Sequence, residues 1–531
     1  QWITDLRWED VELYLQAQQT ITVPKGCQEQ WHYIFLVPWH LWQSEFYDDS
    51  FKLCMAMIRM IAGPIRAQET EEGEKTKPSA TREMKDRIAV FLDGDWEQLW
   101  QEANKQAKPI VHTQSEEAHR QSKIRRAEHK AMVGQLSDAH STLLNAGLLD
   151  PRVVDTMDQL LEIHRVEDDE VQLPPTPDEE ALKDKRYECI IDTIQVKGMG
   201  GTEMEVDTFE YTMERLPRYK AAGPVGDRYE HWQAMPRMLV RQYCEQALSG
   251  ELSDGMKAAW RSGLLHAGDK EKMDSKGRRR ARPLVVGLAI RRICGRLPCA
   301  QFKKYFSDMF IKLRQLGVAV PAGIEIAYKT VMLGLDQLEA DADDWDDKGN
   351  VQQYDFVDGY NNADRAELMK QTQAHFPMIY KYMQTCYGES GMLWVLWKGK
   401  HVKSMPCKHG VWQGDPLGMH SFIISTMSFI AELAATLRPQ NVFKEYEYAA
   451  ERELQQGESA TFISIADDLT VVTRNQHSVR VAKMIFDIAQ KHGVRMSAAK
   501  LEIYSAGSRS GQLEMEMLCF GQNYLEWALS T

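Results

Sequence analysis

Residues 461–473 read TFISIADDLTVVT, a pattern that bears on the fold of the whole chain. Two runs of β-favouring apolar residues flank Asp467 and Asp468, which predicts a β-hairpin with two acidic residues at its tip. Two-residue hairpin turns favour Asn-Gly or Asp-Gly because they need positive φ angles, yet no glycine is present here. Adjacent carboxylates also repel each other unless a cation lies between them. The stretch favours a metal site, and an ordinary turn stays open as the alternative.

A second acidic position precedes the hairpin, in residues 351–365, which read VQQYDFVDGYNNADR. Asp355 interrupts an extended run, and Gly359 with the two following asparagines indicates a turn into a helix. A lone aspartate at the end of a strand is more often a helix cap than a metal ligand. Taken together, however, three carboxylates at the ends of two neighbouring strands suit Mg²⁺, which prefers oxygen ligands. Two such ions about 4 Å apart are a device for in-line phosphoryl transfer.

Between these segments, residues 410–417 read GVWQGDPL. Gly410 and Gly414 let the backbone approach a ligand closely, and Pro416 suits the first turn of the helix that follows. Taken alone, the stretch fits any junction between a loop and a helix.

After the hairpin, the apolar residues of 479–491 recur on one helical face, and Gly493 is expected to end that helix. The resulting order of strand, helix, hairpin, helix and strand predicts a split βαβ, ferredoxin-like sheet.

The charge distribution leaves a nucleic-acid enzyme possible in spite of a net charge of −13. Phosphate contacts need Lys and Arg, so the total alone argues against such a role. The signs are segregated, however, with acidic clusters at 167–170, 178–180 and 339–347 and a basic run at 270–282. A charge run is as often simply a solvated face. Nine cysteines without a CxxC pair argue against a zinc module and against a secreted disulfide framework.

The length of 531 residues predicts two to four structural units. The most apolar run, 417–437, contains His420 and Glu432, which favours a buried helix over a membrane span. The chain begins with Gln1 and no signal segment follows, so we expect a piece of a longer intracellular protein.

Together these segments resemble the polymerase motifs of reverse transcriptases, and most of all those of non-LTR retrotransposons. Seven segments carry the resemblance in the order of the family, at 223–231, 282–292, 315–325, 355–365, 410–417, 466–468 and 493–500. The match runs over about residues 217–505. The chain departs from the family at Ile465, where an aromatic residue is usual, and at Ser497, where asparagine is usual.

The resemblance implies an RNA-directed DNA polymerase that adds deoxynucleotides to a primer 3′-hydroxyl with two Mg²⁺ ions, for which Mn²⁺ is a substitute. Asp355, Asp467, Asp468 and the Phe356 carbonyl would bind the ions, and Lys500 would donate a proton to the leaving pyrophosphate. The implied partners are template RNA, primer DNA, dNTP and the element's own RNA in a ribonucleoprotein, with no membrane. The implied localisation is nucleus and cytoplasm.

The resemblance also implies how the substrate is held. Tyr360 would be a steric gate that rejects the 2′-hydroxyl by a clash. Gln413 and Gly414 would line the templating base and the incoming nucleotide. Arg282, with Lys270 nearby, would hold the triphosphate through charge-assisted hydrogen bonds.

The implied fold is α+β, with the fingers and palm of a right-hand polymerase after a mainly helical N-terminal region. The expected units are a helical extension at 1–165, an acidic proline-containing linker at 166–185, the fingers at 186–350, the palm at 351–510 and the start of a region leading to a thumb at 511–531.

Two alternatives stay open. An RNA-dependent RNA polymerase shares the palm, but it usually carries Gly-Asp-Asp and needs room for the 2′-hydroxyl, so Ala466 and Tyr360 count against it. A decayed or domesticated reverse-transcriptase-like protein that only binds RNA is the alternative from a different class, and the retention of all three acids counts against that.

Overall fold

The computed structural model describes the chain except for residues 1, 7–19, 66–67, 70–74, 77, 105–120, most of 122–146, 198–200, 275, 341, 347, 398–399, 438–459 and 506–531. The unit expected at 511–531 therefore lies outside the described residues, as does part of the expected N-terminal extension.

The described chain is a mixed α+β structure. Its strands are β1 Gln68–Glu69, β2 Lys75–Thr76, β3 Thr193–Lys197, β4 Glu203–Asp207, β5 Gly263–Met273, β6 Arg279–Gly287, β7 Gly349–Asp355, β8 Gly391–Trp397, β9 Lys400–Cys407, β10 Thr461–Ile465, β11 Asp468–Arg474 and β12 Glu502–Ser505. Its helices are Trp2–Asp5, Gln28–Ile34, Leu36–Gln43, Tyr47–Ala62, Ala80–Leu92, Trp96–Asn104, Val154–Ile163, Thr208–Glu214, Tyr229–Gln233, Arg237–Ser249, Asp254–Trp260, Ala289–Gln301, Lys303–Lys312, Gly323–Ala340, Gly359–Asn362, Arg365–His375, Tyr380–Tyr387, Gly418–Ser425, Met427–Leu437 and Ser478–Lys491. Short 3₁₀ turns lie at Lys25–Cys27, Ala181–Lys183, Lys185–Tyr187, Pro377–Ile379, Asn475–His477 and Ala498–Lys500.

The N-terminal helices pack onto the segment that follows residue 220. Helix Tyr47–Ala62 is buried along nearly its whole length, so it acts as the centre of this helical layer. The hydroxyl groups of Ser50 and Tyr243 lie 2.7 Å apart, and the Trp31 indole donates to the His231 carbonyl at 3.2 Å. These contacts give the N-terminal helices and helix Arg237–Ser249 a common core.

The acidic segment 166–185 lies against residues near the end of β9 and against helix Tyr380–Tyr387. Lys408 donates to the carbonyl groups of Val166 at 3.3 Å and Asp168 at 2.8 Å. Further along, the Gln384 amide donates to the Thr176 hydroxyl at 2.7 Å. The segment is thereby hydrogen-bonded to the residue that follows β9 and to helix Tyr380–Tyr387.

One sheet has the strand order β6-β5-β8-β9. Strands β5 and β6 form an antiparallel hairpin that carries the basic run, and β8 pairs with β5 in parallel. Strands β8 and β9 form a second hairpin, which leads into residues 410–417.

A second four-stranded sheet has the order β10-β11-β7-β12, and every neighbouring pair in it is antiparallel. Helix Ser478–Lys491 packs on the sheet through Val481, Ile485 and Phe486, all of them buried. Gly493 follows the C-cap residue His492 of this helix and takes a positive φ of 66°, as its position predicted. From the β10–β11 hairpin the chain passes through helix Ser478–Lys491 to β12, whereas several helices and strands β8 and β9 lie between β7 and β10.

The apolar run at 417–437 forms two helices rather than the single one predicted. The Thr426 hydroxyl at the junction donates to the Ile423 carbonyl at 3.0 Å, and such back-bonding bends helices. Within the described residues no single helix is long and apolar enough to cross a membrane, and these two pass that test only as a pair bent by 50°.

Candidate active site

The tip of the β10–β11 hairpin is a two-residue turn made of Ala466 and Asp467. Ile465 and Asp468 are the last cross-strand partners before it. Ala466 has a φ of +55°, so an alanine supplies the left-handed conformation that glycine or asparagine usually provides. The absence of glycine therefore does not prevent a tight turn, because the surrounding structure holds Ala466 in place.

Asp355 lies directly opposite Asp468. It is the last residue of β7, and the register of β7 with β11 makes the two aspartates cross-strand partners. Side chains in that relation have Cβ atoms about 4.5–5.5 Å apart. The helix that follows has Asp358, not Asp355, at its N-cap position, so Asp355 does not act as the helix cap that a lone strand-end aspartate suggested.

The neighbouring carboxylates act electrostatically on Asp468. The pKa of Asp468 is raised above its usual value, first because partial burial removes water from its carboxylate and then because the negative charges of Asp467 and Asp355 lie nearby. Lys500 opposes this shift, and its ammonium group donates to Asp355 Oδ2. The site thus combines three acids with one cation at the ends of β7 and β11.

An oxygen-only donor set at this place fits a hard cation such as Mg²⁺. In the part of the chain that the structure describes, no group of three or more His, Cys, Asp or Glu side chains is arranged to hold a metal ion as it stands. In this arrangement the Lys500 ammonium supplies the positive charge next to Asp355.

Tyr360 lies beside the hairpin tip. Its ring stacks on Phe422 with 5.3 Å between centroids, and the residue is 9% exposed. Burial, and after it the neighbouring charge of Asp467, raises the pKa of Tyr360 to about 12, so the hydroxyl is protonated at neutral pH. The Val411 N–H donates to the Tyr360 carbonyl at 2.7 Å, which ties this residue to the 410–417 loop.

Phe356 follows Asp355 and packs edge-on against the ring of Phe422 at 5.6 Å between centroids. On the backbone, the Val357 N–H donates to the Arg495 carbonyl and the Ser497 N–H to the Asp355 carbonyl, each at 2.9 Å. Two backbone hydrogen bonds therefore attach the segment before Lys500 to the end of β7, which carries Asp355.

Two glycines let the 410–417 loop pack closely against two other parts of the protein. Gly410 has a φ of +70° and presses on the backbone of Asn361, where a Cβ would collide. Gly414 approaches the Val285 carbonyl of β6 equally closely, and both Gly414 and Gln413 are exposed to solvent. The loop thereby bridges the turn after Asp355 and the basic hairpin.

Pro416 does not stand in the first turn of the following helix, contrary to the prediction. That helix begins at Gly418. Asp415 Oδ1 accepts from the Leu417 N–H at 3.1 Å, and the Asp415 carbonyl accepts from the Gly418 N–H at 2.9 Å. These bonds hold a separate turn ahead of the helix, which delays its start.

The basic hairpin faces the turn after Asp355. Lys270 Nζ lies 3.5 Å and Arg280 Nη2 3.3 Å from Asp358 Oδ1. The pKa of Lys270 is lowered, first by burial and then by Arg280, with Arg282 adding to the effect and Asp358 opposing it. Arg282 itself is exposed. Positive charge is therefore concentrated at the turn that follows Asp355.

Other arginines of the basic run are used within the hairpin. Arg278 Nε donates to Asp274 at 2.8 Å, and Arg279 Nη2 lies 2.9 Å from Asp269. Within the basic run, Arg278 and Arg279 thus form ion pairs inside the hairpin, whereas Lys270 and Arg280 lie together at Asp358.

Sequence reasoning missed a buried ion pair that anchors the 410–417 loop. Arg291 Nε donates to Asp415 Oδ2 at 2.9 Å, and both side chains are almost inaccessible. The guanidinium also lies 3.7 Å from the ring centroid of Trp412 and donates to the Trp260 carbonyl at 2.7 Å. The two ions are 124 positions apart, and no local pattern could have paired them.

Arg365 is the last residue of the 355–365 motif, and the sequence alone does not show what it binds. It is 3% exposed and donates to the carbonyl groups of Gly410 at 2.9 Å and His409 at 3.2 Å. Its role is to hold the chain that enters the 410–417 loop.

No family model matches the chain, and no curated protein matches it. Among solved structures, it is similar to an apo telomerase from Candida tropicalis truncated from its C-terminal domain, at 15% identity over 47% of this chain and 51% of that chain, with a TM-score of 0.32. It is also similar to a telomerase from Candida albicans in complex with a TWJ fragment of telomeric RNA, at 12% identity over 60% of this chain and 49% of that chain, with a TM-score of 0.34. The chain spans about half the length of these structures. Likenesses of this size establish neither a family nor an activity for the chain.

Proposed function

We propose that the chain is the polymerase core of a reverse transcriptase of the non-LTR retrotransposon kind, which extends a DNA primer with deoxynucleotides on an RNA template. The observation that carries the proposal is the pairing of Asp355 with Asp468 across two neighbouring strands, with Asp467 beside them. The sheet order β10-β11-β7-β12, with helices between the strands, supports the assignment of this sheet as a ferredoxin-like palm.

In the proposed reaction the 3′-hydroxyl of the primer loses its proton to solvent and its oxygen forms a bond to the α-phosphorus of the dNTP. The bond from that phosphorus to the bridging oxygen breaks and releases pyrophosphate. Asp355, Asp467, Asp468 and the Phe356 carbonyl would hold two Mg²⁺ ions, or Mn²⁺ as a substitute, which supply activation of the hydroxyl and neutralisation of the phosphate charge. Lys500 would donate a proton to the departing pyrophosphate.

The basic hairpin would hold the triphosphate. Lys270 and Arg280 share one carboxylate partner, Asp358. A triphosphate carries more negative charge than that carboxylate, and charge-assisted bonds to phosphate are strong, so it would compete with Asp358 for both cations. Arg282 is exposed close to Lys270 and would add a third contact.

The nucleotide itself would lie between the hairpin tip and the 410–417 loop. Tyr360, buried beside Asp467, would place its ring under the sugar and leave no room for a 2′-hydroxyl. The exposed Gln413 and Gly414 would line the templating base and the incoming nucleotide.

One observation favours the alternative of a protein that binds RNA without polymerising. The Lys500 ammonium donates to Asp355 Oδ2, one of the carboxylate oxygens that the proposed ions would need. The primer-extension experiment described next separates polymerisation from RNA binding alone.

The test is primer extension on an RNA template with Mg²⁺, in which deoxynucleotides are compared with ribonucleotides and wild type with Asp467→Asn. Asp308→Asn is the matched control, because the Asp308 side chain is partly exposed and forms an ion pair with Lys304, at 2.7 Å. We expect wild type and the control to extend with deoxynucleotides alone, and Asp467→Asn to lose extension while it still binds RNA. Equal extension by Asp467→Asn would overturn the metal assignment. RNA binding without extension by wild type would support the alternative, and extension with ribonucleotides would support an RNA polymerase.

A further inference from the structure

A short segment lies along the outer edge of β10 and reaches the hairpin tip. The Ser464 N–H donates to the Arg314 carbonyl at 2.9 Å, and the Leu316 N–H donates to the Ser464 carbonyl at 2.8 Å. These two bonds place Gln315 directly beside Ser464, as an extra strand position next to β10. The Gln315 side chain, in a residue only 2% exposed, is therefore directed at the turn that carries Asp467.

The Gln315 amide satisfies both backbone polar groups of Ala466. Its Oε1 accepts from the Ala466 N–H at 2.7 Å, and its Nε2 donates to the Ala466 carbonyl at 3.0 Å. The same Oε1 also accepts from the Gly317 N–H at 3.1 Å, which orients the amide. Ala466 is 8% exposed, so water has little access to replace these bonds.

This two-point contact acts on a backbone conformation that alanine adopts reluctantly. Ala466 has a φ of +55°, in the left-handed region where a Cβ is disfavoured. The directions of its N–H and carbonyl follow from its φ and ψ angles, so a side chain that bonds both groups selects that conformation. Asp467 and Asp468 follow immediately, and a change of conformation at Ala466 would redirect both carboxylates.

Gly317 allows the close approach. A Cβ on it would lie 2.5 Å from the Ala466 nitrogen and 3.0 Å from the carbonyl carbon of Ile465. The segment can therefore come near enough for the Gln315 amide to reach both groups only with a glycine at this position.

We propose that Gln315 is a positioning residue for polymerisation: its amide holds Ala466 in the left-handed conformation and thereby aims Asp467 and Asp468 at the ions that they would share with Asp355. This inference rests on the proposed function, since it assigns a role within the same site.

The test begins with Gln315→Met, which keeps the length of the side chain and removes both hydrogen bonds. Groups that support metal ligands typically change metal affinity or activity by about 10- to 100-fold when they are removed. We expect a loss of that size in kcat for primer extension or a matching rise in the half-saturating Mg²⁺ concentration, with the KM for dNTP little changed. Independently of activity, hydrogen exchange at the Ala466 amide should become faster.

A second substitution supplies the rescue. Glycine adopts a positive φ without cost, so Ala466→Gly lowers the need for the amide. We expect the double variant Gln315→Met with Ala466→Gly to recover a large part of the lost kcat. A role of Gln315 in general stability alone would not give this recovery.

Gln315→Glu gives a pH-dependent version of the same test, in case the methionine variant fails to fold. An ionised carboxylate can accept from the Ala466 N–H but cannot donate to its carbonyl, whereas a protonated carboxyl can do both. We expect the activity of this variant relative to wild type to rise as the pH is lowered.

The matched control is Gln159→Met. Gln159 is 5% exposed and makes the same kind of pairing with another strand, donating to the Arg279 carbonyl at 2.9 Å and accepting from the Ala281 N–H at 3.0 Å. Its loss removes an equivalent pair of bonds, and we expect the Mg²⁺ requirement to stay at the wild-type value.

The outcomes separate this inference from the function on which it rests. If wild type is active, Asp467→Asn is inactive and Gln315→Met matches wild type in Mg²⁺ requirement and amide exchange, the positioning role is refuted and the polymerase function stands. Equal shifts in Mg²⁺ requirement for Gln315→Met and Gln159→Met would also refute it. If wild type itself does not extend primers, the proposed function fails, and faster exchange at Ala466 alone would then leave Gln315 as a structural clamp.

Discussion

Substitution of Arg291 by methionine tests whether the buried pair of Arg291 and Asp415 holds the 410–417 loop. The change leaves the Asp415 carboxylate, whose side chain is 2% exposed, without its cationic partner. It also removes the guanidinium from the face of Trp412, 3.7 Å away. The structure therefore predicts a large loss of stability, because the desolvated negative charge is left uncompensated.

The expected magnitude follows from the burial of both side chains. Removal of one partner of a buried pair costs about 3–5 kcal/mol, whereas replacement of both by neutral groups is often close to neutral. For a unit of about 150–250 residues, 1 kcal/mol corresponds to roughly 2–4 °C in Tm, so Arg291→Met is expected to lower Tm by about 6–20 °C. The double variant with Asp415→Asn should recover at least about half of that loss.

The assay is scanning calorimetry of the four proteins of the double-mutant cycle. The matched control is the cycle of Lys304→Met and Asp308→Asn, an exposed pair with side-chain exposures of 89% and 46%. That control should show a coupling of only about 0.3–0.5 kcal/mol. A coupling no larger than this for Arg291 and Asp415 would refute the reasoning that burial makes the pair indispensable.

Three other predictions concern the candidate site. Tyr360→Val should admit ribonucleotides in primer extension, and an unchanged sugar preference would remove the gate role. Asp468→Asn should raise Tm at pH 7 without added metal, and this gain in Tm should disappear below about pH 4. The reason is that a carboxyl group whose pKa is raised in the folded state destabilises that state as the pH rises through its pKa. A difference in Tm that does not depend on pH would contradict this. Gly410→Ala should lower Tm much more than Gly493→Ala. Both glycines have a positive φ, which costs about 1–2 kcal/mol for a residue with a Cβ. A Cβ at Gly410 would in addition collide with the backbone of Asn361, whereas a Cβ at Gly493 would meet no atom within 4 Å. Similar melting temperatures for the two glycine variants would show that the loop can relax.

Part of the site could be predicted because the chemistry is local in the sequence. The apolar runs around Asp467 and Asp468 indicate a hairpin from a few residues, and the structure has that hairpin. The register that brings Asp355 opposite Asp468 joins strands 113 positions apart in numbering (468 minus 355) and is set by packing, not by either strand alone. The start of the helix after Pro416 was wrong for a different reason. The Asp415 side chain accepts from the Leu417 N–H two residues further on, and this local turn was not taken into account.

The sequence by itself determined the alternation of apolar residues, the acidic pair at the hairpin tip, the basic run and the order of strands and helices, because each depends on neighbours in the chain. Only the tertiary structure decided that Gln315 clamps Ala466, that Arg291 is buried against Asp415, and that Lys270 and Arg280 meet at Asp358. The physical reason is that a buried polar group must find a partner within hydrogen-bonding distance once water is excluded, and in a folded chain that partner can come from any distance along the sequence.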